Sequence, residues 1–378
     1  MTSKIEIKEA GDKRSMHHFI TFGNKLYRHC PQYVPDLLMG MRNDFNPKKN
    51  AALEFTQLKP FVAYRDGEPV GRVCAIINPH ANEKWNIRVV RFGMFDFIDD
   101  IEVSKALLDA VASWGRGMGM DTMQGPMGIT DFDKEGMLMS DYDQLGAMTE
   151  IYNYDYYPAH MERLGFKKAV DWVQIRVAVP PTTPERFSRV AAMVRKRYNL
   201  HKKRPTAHEI YKGYGLRIFH LLNEAYAPLF GFAGFTDQQA NDFCHNYAPL
   251  VDFRMMSVVE NEDNEPVGVA VTMASLAHAL QRGGGRLLPL GWWWLLRALK
   301  WRHESTVNML LIAVRPDYQG KGVNALFFDD LIPVYQKMGF QYAETGPQLE
   351  DNIKEIAQWK VLNPQTIKRR RCWQKAIG

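Results

Sequence analysis

The strongest constraint on the fold of this chain is an internal echo. Residues 61–77 read FVAYRDGEPVGRVCAII and residues 256–272 read MSVVENEDNEPVGVAVT. Each is an apolar, β-branched run, a turn and a second such run. The turns, at Asp66-Gly67 and Asp263-Asn264, use residues that tolerate positive φ, which is the signature of a β-hairpin. Glu-Pro-Val-Gly recurs at 68–71 and 265–268. Downstream, apolar residues at helical spacing over 103–115 lead into a short strand closed by Gly125-Pro126. Residues 326–338 lead in the same way through 339–345 to Gly346-Pro347. Hairpin, strand, helix and strand in both halves predict one α/β unit used twice.

The length agrees, since 378 residues suit two domains of about 150 each. The boundary falls at Val179-Pro180-Pro181-Thr182-Thr183-Pro184, where three prolines in five residues fit neither a helix nor a central strand. The predicted division is a first domain over 1–179, a stiff linker over 180–184 and a second domain over 185–378. With 46% hydrophobic and 24% charged residues and a net charge of +6, the chain has material for two cores and is no disordered chain or basic nucleic-acid coat. Cys30, Cys74, Cys244 and Cys372 are scattered without a CxxC pair, so neither a disulfide framework nor a cysteine zinc site is expected. The opening residues hold no apolar leader, and the apolar stretch 287–296 is half the roughly 20 residues that a bilayer span needs. These features predict a cytoplasmic protein. None of the 11 histidines has metal-ligand spacing, so no metal is expected.

The segment that carries chemistry is 309–328, MLLIAVRPDYQGKGVNALFF: a buried strand, a loop and an apolar helix. Gly320 and Gly322 let a backbone come close to a ligand. The amides from Gln319 to Asn324 open a helix, where unpaired N–H groups and the macrodipole favour an anion, and Lys321 adds a cation. A Walker A loop requires Ser or Thr after its lysine, and Gly322 stands there. The dinucleotide pattern GxGxxA is formally met by Gly320, Gly322 and Ala325, with Glu344 beyond, but five residues separate the glycines from the strand.

The run Val314-x-Pro316-x-Tyr318-Gln319-Gly320-Lys321-Gly322-Val323-Asn324 resembles the Q/R-x-x-G-x-G/A loop of the GCN5-related N-acetyltransferase (GNAT) superfamily. The resemblance implies an α/β (α+β) fold with two tandem domains, each a mixed, mostly antiparallel sheet flanked by helices. It also implies that the amides of Gln319, Gly320, Lys321, Gly322, Val323 and Asn324 hold the diphosphate of acetyl-coenzyme A or another acyl-CoA. The main chain of Ile312 and Val314 would bind the pantetheine arm, and Asn352, opening the next helix, would touch it. Where many members carry an acidic Tyr, this chain has Trp359, whose indole cannot give up a proton. Either another donor such as Tyr342 or water serves the thiolate, or the domain binds coenzyme A without the usual chemistry. Acyl transfer to an amine needs a base, and Glu344, on the strand beside the motif strand, is the sequence candidate. No Ser-His-Asp or Cys-His arrangement supports a covalent intermediate.

The function implied is an acyltransferase (a transferase of acyl groups other than aminoacyl) acting on a small-molecule or peptide amine by direct attack on the thioester. The alternative is a non-catalytic protein that binds or senses acyl-CoA. The first half resembles the superfamily more weakly: Asp99, Asp100 and Glu102 crowd its loop position and repel a diphosphate, so that copy is expected to have lost the cofactor. Its 156–166 segment resembles the closing helix and strand, and the whole chain resembles tandem-domain bacterial members.

Three further features complete the reading. An insertion over 274–303 holds Trp292, Trp293, Trp294 and Trp301 and reads as packing against the first domain, as an apolar lid, or as a membrane contact. The basic runs at 195–204 and 368–371 read as solvated faces, because no aromatic interleaving accompanies them, and no nucleic-acid partner is expected. Asp131, Asp133, Asp141 and Asp143 read as a surface loop or a substrate-side wall.

Overall fold

The computed structural model describes residues 4–130, 132–301 and 304–378. Its strands are β1 (Glu6–Glu9), β2 (Gln57–Arg65), β3 (Glu68–Ile77), β4 (Val89–Phe97), β5 (Thr122–Gly125), β6 (Met137–Leu138), β7 (Lys167–Ala178), β8 (His201–Lys203), β9 (Met256–Glu260), β10 (Pro266–Ala274), β11 (Thr306–Val314), β12 (Tyr342–Thr345), β13 (Gln348–Leu349) and β14 (Gln365–Ala376). Twelve of them run in one continuous sheet in the order β1-β2-β3-β4-β5-β14-β7-β12-β11-β10-β9-β8.

Read outward from the β14–β7 pair, the two arms repeat each other. β5 answers β12, β4 answers β11, and the hairpin β2–β3 answers β9–β10. Pairing is antiparallel except at β4–β5 and β11–β12, which are parallel. The crossovers for those two pairs are the Ile101–Gly117 and Asn324–Met338 helices, as parallel neighbours require. This is the expected fold class, and both predicted hairpins and both helices form.

Each arm has its own core. In the first, Val103, Leu107 and Val111 pack on Val73, Ala75 and Phe92. In the second, Leu326, Phe327 and Leu331 pack on Val267, Ala270 and Val307, with Phe187, Ala191 and Val194 of the Glu185–Tyr198 helix closing the layer. The 1–179 and 185–378 division follows the chain, but the sheet does not respect it. β14 lies between β7 and β5 of the first half, and its Trp373, with Ile377, sits in the first core. In return β7 pairs with β12 of the second half. Truncating Trp373, only 2% exposed, would cost roughly 3–5 kcal/mol.

That exchange corrects the reading of 368–371 as a solvated face. Lys368 and Arg370 are each 1% exposed. Both reach Glu150, at 2.8 and 2.9 Å, and Gln174 bridges Arg370 and Glu150 at 2.8 and 2.7 Å. Arg371 pairs with Asp171. The alternation of strand side chains sends every second cation inward, and the buried charges persist because the carboxylate and amide meet them. Part of the other basic run is paired, Arg195 with Asp329 and Lys202 and Arg204 with Asp330, while Lys196 and Arg197 are exposed.

Candidate functional site

The glycine loop is built locally. β11 ends at Val314, a short turn Pro316–Tyr318 follows, and the chain enters the Asn324–Met338 helix. Gly320 and Gly322 adopt φ of +73° and +84°, a region that side-chain-bearing residues rarely enter. A Cβ on Gly322 would stand 3.2 Å from Val190 and Val194, whereas one on Gly320 would meet nothing within 4 Å. The loop is thus pressed against the Glu185–Tyr198 helix on one side and open on the other. The amides of Gly320, Gly322, Val323 and Asn324 have no acceptor within the chain among the described residues. Lys321 lies over the rings of Tyr198 and Tyr318 at 5.1 and 4.9 Å, with no carboxylate partner among the described residues. Gln319 braces the loop by donating to the Val314 carbonyl at 3.0 Å.

Beside the loop the sheet opens. β11 pairs with β12 from Thr306 to Met309, the Gly346 amide donates to Met309 at 3.1 Å, and β11 then runs on to Val314 without that neighbour. Tyr226 donates to the Ile312 carbonyl at 2.8 Å; burial pushes its hydroxyl pKa up. Of the main-chain groups assigned to a pantetheine arm, the carbonyls of Ile312 and Val314 are therefore already occupied.

The opening leads into a cavity of about 1280 Å³ that extends between the two arms. Gln319, Gly320, Gly322, Val323, Asn324, Ile312, Val314 and Asn352 all line it. Its walls are mostly apolar, from Leu222 and Phe232 of the second half to Tyr27 and Met41 in the first arm. Asp133 lines it too, while Asp141 and Asp143 are exposed and Asp131 lies outside the described residues.

The sequence candidates for proton transfer are not brought to this place. Glu344 is buried in an ion pair with Arg176 at 2.6 Å, Tyr342 is 42% exposed, and neither lines the cavity. Successive residues of β12 face opposite sides of the sheet, and it is Ala343 and Thr345 that face the cavity.

Glu355 is the carboxyl that the sequence reading missed. It sits in the Ile353–Ala357 helix, which Asn352 caps, and its amide donates to Asn352 Oδ1 at 3.4 Å. Glu355 lines the cavity. Burial raises its pKa to about 7, although Gln358, which donates to the carboxylate, pulls the other way. Gln358 in turn accepts from Asn324 at 2.8 Å, so a side-chain bridge links Glu355 to the first residue of the loop helix. The Asn-x-x-Glu spacing of a helix cap was the available signal. Trp359 lies behind, 2% exposed, edge-on to Phe328. Its indole N–H has no acceptor among the described residues.

The first arm has no such cradle. Between β4 and its helix stand only Ile98, Asp99 and Asp100. Asp100 caps the helix and pairs with Arg65 at 2.6 Å, and Asp99 meets His160 at 3.0 Å. Tyr157 accepts from the Phe97 amide at 3.0 Å and Tyr156 donates to its carbonyl at 2.5 Å, filling the space that the second arm leaves open.

A doubled sheet with a splayed parallel pair and a glycine loop opening the crossover helix defines the tandem GNAT fold. Among solved structures, a tandem GNAT protein from the clavulanic acid biosynthesis pathway aligns over 99% of both chains at TM-score 0.58 and 13% identity. A GCN5-related N-acetyltransferase from Anabaena variabilis aligns over 99% of this chain and 73% of its own at TM-score 0.51 and 7% identity. Among curated proteins, Protein YghO of Escherichia coli is 26% identical over 376 residues, covering 97% of this chain and 94% of its own. The bacterial ceramide synthase of Caulobacter vibrioides is 24% identical over 311 residues, 80% of this chain and 79% of its own. No family model matches the chain.

Proposed function

We propose that the protein is an acyl-CoA-dependent N-acyltransferase whose second arm binds the cofactor. The observation that carries this reading is the set of four amides at Gly320, Gly322, Val323 and Asn324, unpaired among the described residues, at the mouth of the cavity, with Lys321 next to them in the chain. Such a cradle suits a diphosphate, and the divergence of β11 and β12 leaves a slot for the thioester arm. Asn352 lines that slot. The acceptor amine enters from the cavity and loses its proton to Glu355, directly or through a water. The nitrogen then attacks the thioester carbonyl, the C–N bond forms, the C–S bond breaks, and the second proton that the nitrogen sheds on becoming an amide goes to the departing thiolate or to water. A thiol of pKa near 8.5 leaves readily as thiolate, so Trp359 need only donate a hydrogen bond from its free N–H.

The acceptor we infer is a long-chain amine or amino alcohol. The cavity is large and apolar, and one curated relative is named a ceramide synthase; a ceramide is the amide of such an amine. Calorimetric titration with acetyl-CoA and palmitoyl-CoA tests cofactor binding, and thiol release with sphinganine against short polar amines tests the acceptor. Absence of binding by both thioesters overturns the reading. The second reading, a non-catalytic acyl-CoA-binding protein, draws on Trp359 at the place of the usual acid. Binding without thiol release from any amine would favour it.

A further inference from the structure

The Trp-rich insertion resolves into two faces. In the Gly291–Lys300 helix, Trp294, Leu295, Ala298 and Leu299 pack on Val34, Leu37, Met148, Met273 and Leu310. That side is the contact with the first domain, and Leu37, Met148, Met273 and Leu310 are also cavity wall. The helix therefore backs the cavity wall from outside without lining it. (The His303 end of the insertion lies outside the described residues.)

The other face has no cover among the described residues. Leu288 is 77% exposed, Leu290 58%, Trp292 47%, Trp293 39% and Trp301 63%. The three indoles form one patch, with ring centroids 6.0 Å apart for Trp292–Trp293 and 5.5 Å for Trp293–Trp301. The same segment carries Arg282, Arg286, Arg297 and Lys300, of which Arg282 and Arg297 stack on Trp294 at 5.1 and 5.9 Å, and residues 281–301 contain no carboxylate. None of these four cations is ion-paired among the described residues. The carboxylates close by are engaged: Asp252 with Arg254 and Glu304 with His278.

We propose that this face docks on an anionic lipid surface, with Leu288, Leu290, Trp292, Trp293 and Trp301 entering the headgroup boundary and the four cations meeting lipid phosphates. Indoles and leucines on one side, in a segment whose charged residues are all arginine or lysine, are the chemistry of an interfacial helix. No helix among the described residues is long and apolar enough to cross the membrane, so the attachment is peripheral. A second copy of the chain fits the patch poorly, because a two-fold contact sets the same four cations against each other. Docking goes beyond the acyl-transfer reading and does not depend on it. The two meet in one consequence: a helix that backs the cavity wall and lies on the bilayer brings the cavity near lipid substrates.

The test is co-sedimentation of the full chain with phosphatidylcholine vesicles, with and without about 30% phosphatidylglycerol. Binding is expected on the anionic vesicles and should weaken at high salt. The double variant W292E/W293E should lower the bound fraction about tenfold or more while keeping the wild-type melting profile, since both side chains are on the surface. R286E/K300E should remove the preference for anionic lipid. Calorimetric affinity for acyl-CoA should stay unchanged in both variants, so a failure of docking and a failure of the cofactor reading are distinguishable. No sedimentation with anionic vesicles, sedimentation indifferent to W292E/W293E, or a dimer in solution that W292E/W293E dissociates would each overturn the proposal.

Discussion

The side-chain amide of Asn324 donates to Gln358 at 2.8 Å, and Gln358 donates on to Glu355. The last position of the loop motif, commonly a small residue in the resemblance, is here a clip between the glycine loop and the cavity carboxyl. Asn324→Ala should cost about 1 kcal/mol of stability and lower kcat several-fold, with KM for acyl-CoA changed little. Steady-state kinetics beside a thermal melt separates the two effects.

Glu355→Gln should reduce kcat/KM roughly a hundredfold at pH 8. In the wild type, activity should rise with pH through about 7, the value to which burial lifts this carboxyl, and the variant should lose that limb. Stability runs in the opposite direction. The folded pKa lies above the unfolded one near 4.5, so the group's contribution is complete below 4.5 and is lost as pH rises through about 7. The variant should then be more stable than wild type at pH 8, by up to about 3 kcal/mol, and indistinguishable from it near pH 4. Glu344→Gln is the contrast. With its partner Arg176 off the cavity wall, it should leave turnover within about twofold and appear mainly as lost stability.

Gly320→Asp is the cleanest probe of the cradle. Its Cβ would enter open space, and Asp tolerates the positive φ at a cost of about 1 kcal/mol. A carboxylate beside the free amides should weaken acyl-CoA binding by roughly 2–4 kcal/mol in calorimetry. Gly322→Asp should weaken it as well but also destabilise the fold, because its Cβ presses on Val190 and Val194.

Glu150→Gln tests the seam between the arms. Burial alone would raise the Glu150 pKa, but Lys368 and Arg370 outweigh it and hold the group at about 2. A folded pKa below the unfolded one gives stability that is present above pH 4.5 and lost as pH falls through 2. The wild type should lose roughly 3 kcal/mol across that window, a loss that chemical denaturation at pH 7 and pH 2 would show and the variant would lack. At pH 7 the variant leaves two buried cations poorly matched and should be about 3–5 kcal/mol less stable.

What could be read in advance follows the range of the interaction. The hairpins at 61–77 and 256–272, the crossover helices and the glycine loop form from contacts between residues close in the chain, through turn chemistry, apolar period and helix-end amides. The alternation of 368–371 inside a strand was also present, but four consecutive cations look solvated until a buried partner is known. That partner, Glu150, lies more than two hundred residues away.

The sequence by itself determined the repeated α/β unit and the place of the glycine loop that opens the second crossover helix, because each rests on turn chemistry and apolar period within about twenty residues. Only the tertiary structure decided that β14 enters the first arm's sheet, that Glu344 faces an arginine, that Glu355 faces the cavity and that one side of the tryptophan helix is bare. Each of these depends on which surfaces lose water when distant segments meet, and burial is a property of the assembled fold rather than of any stretch of residues.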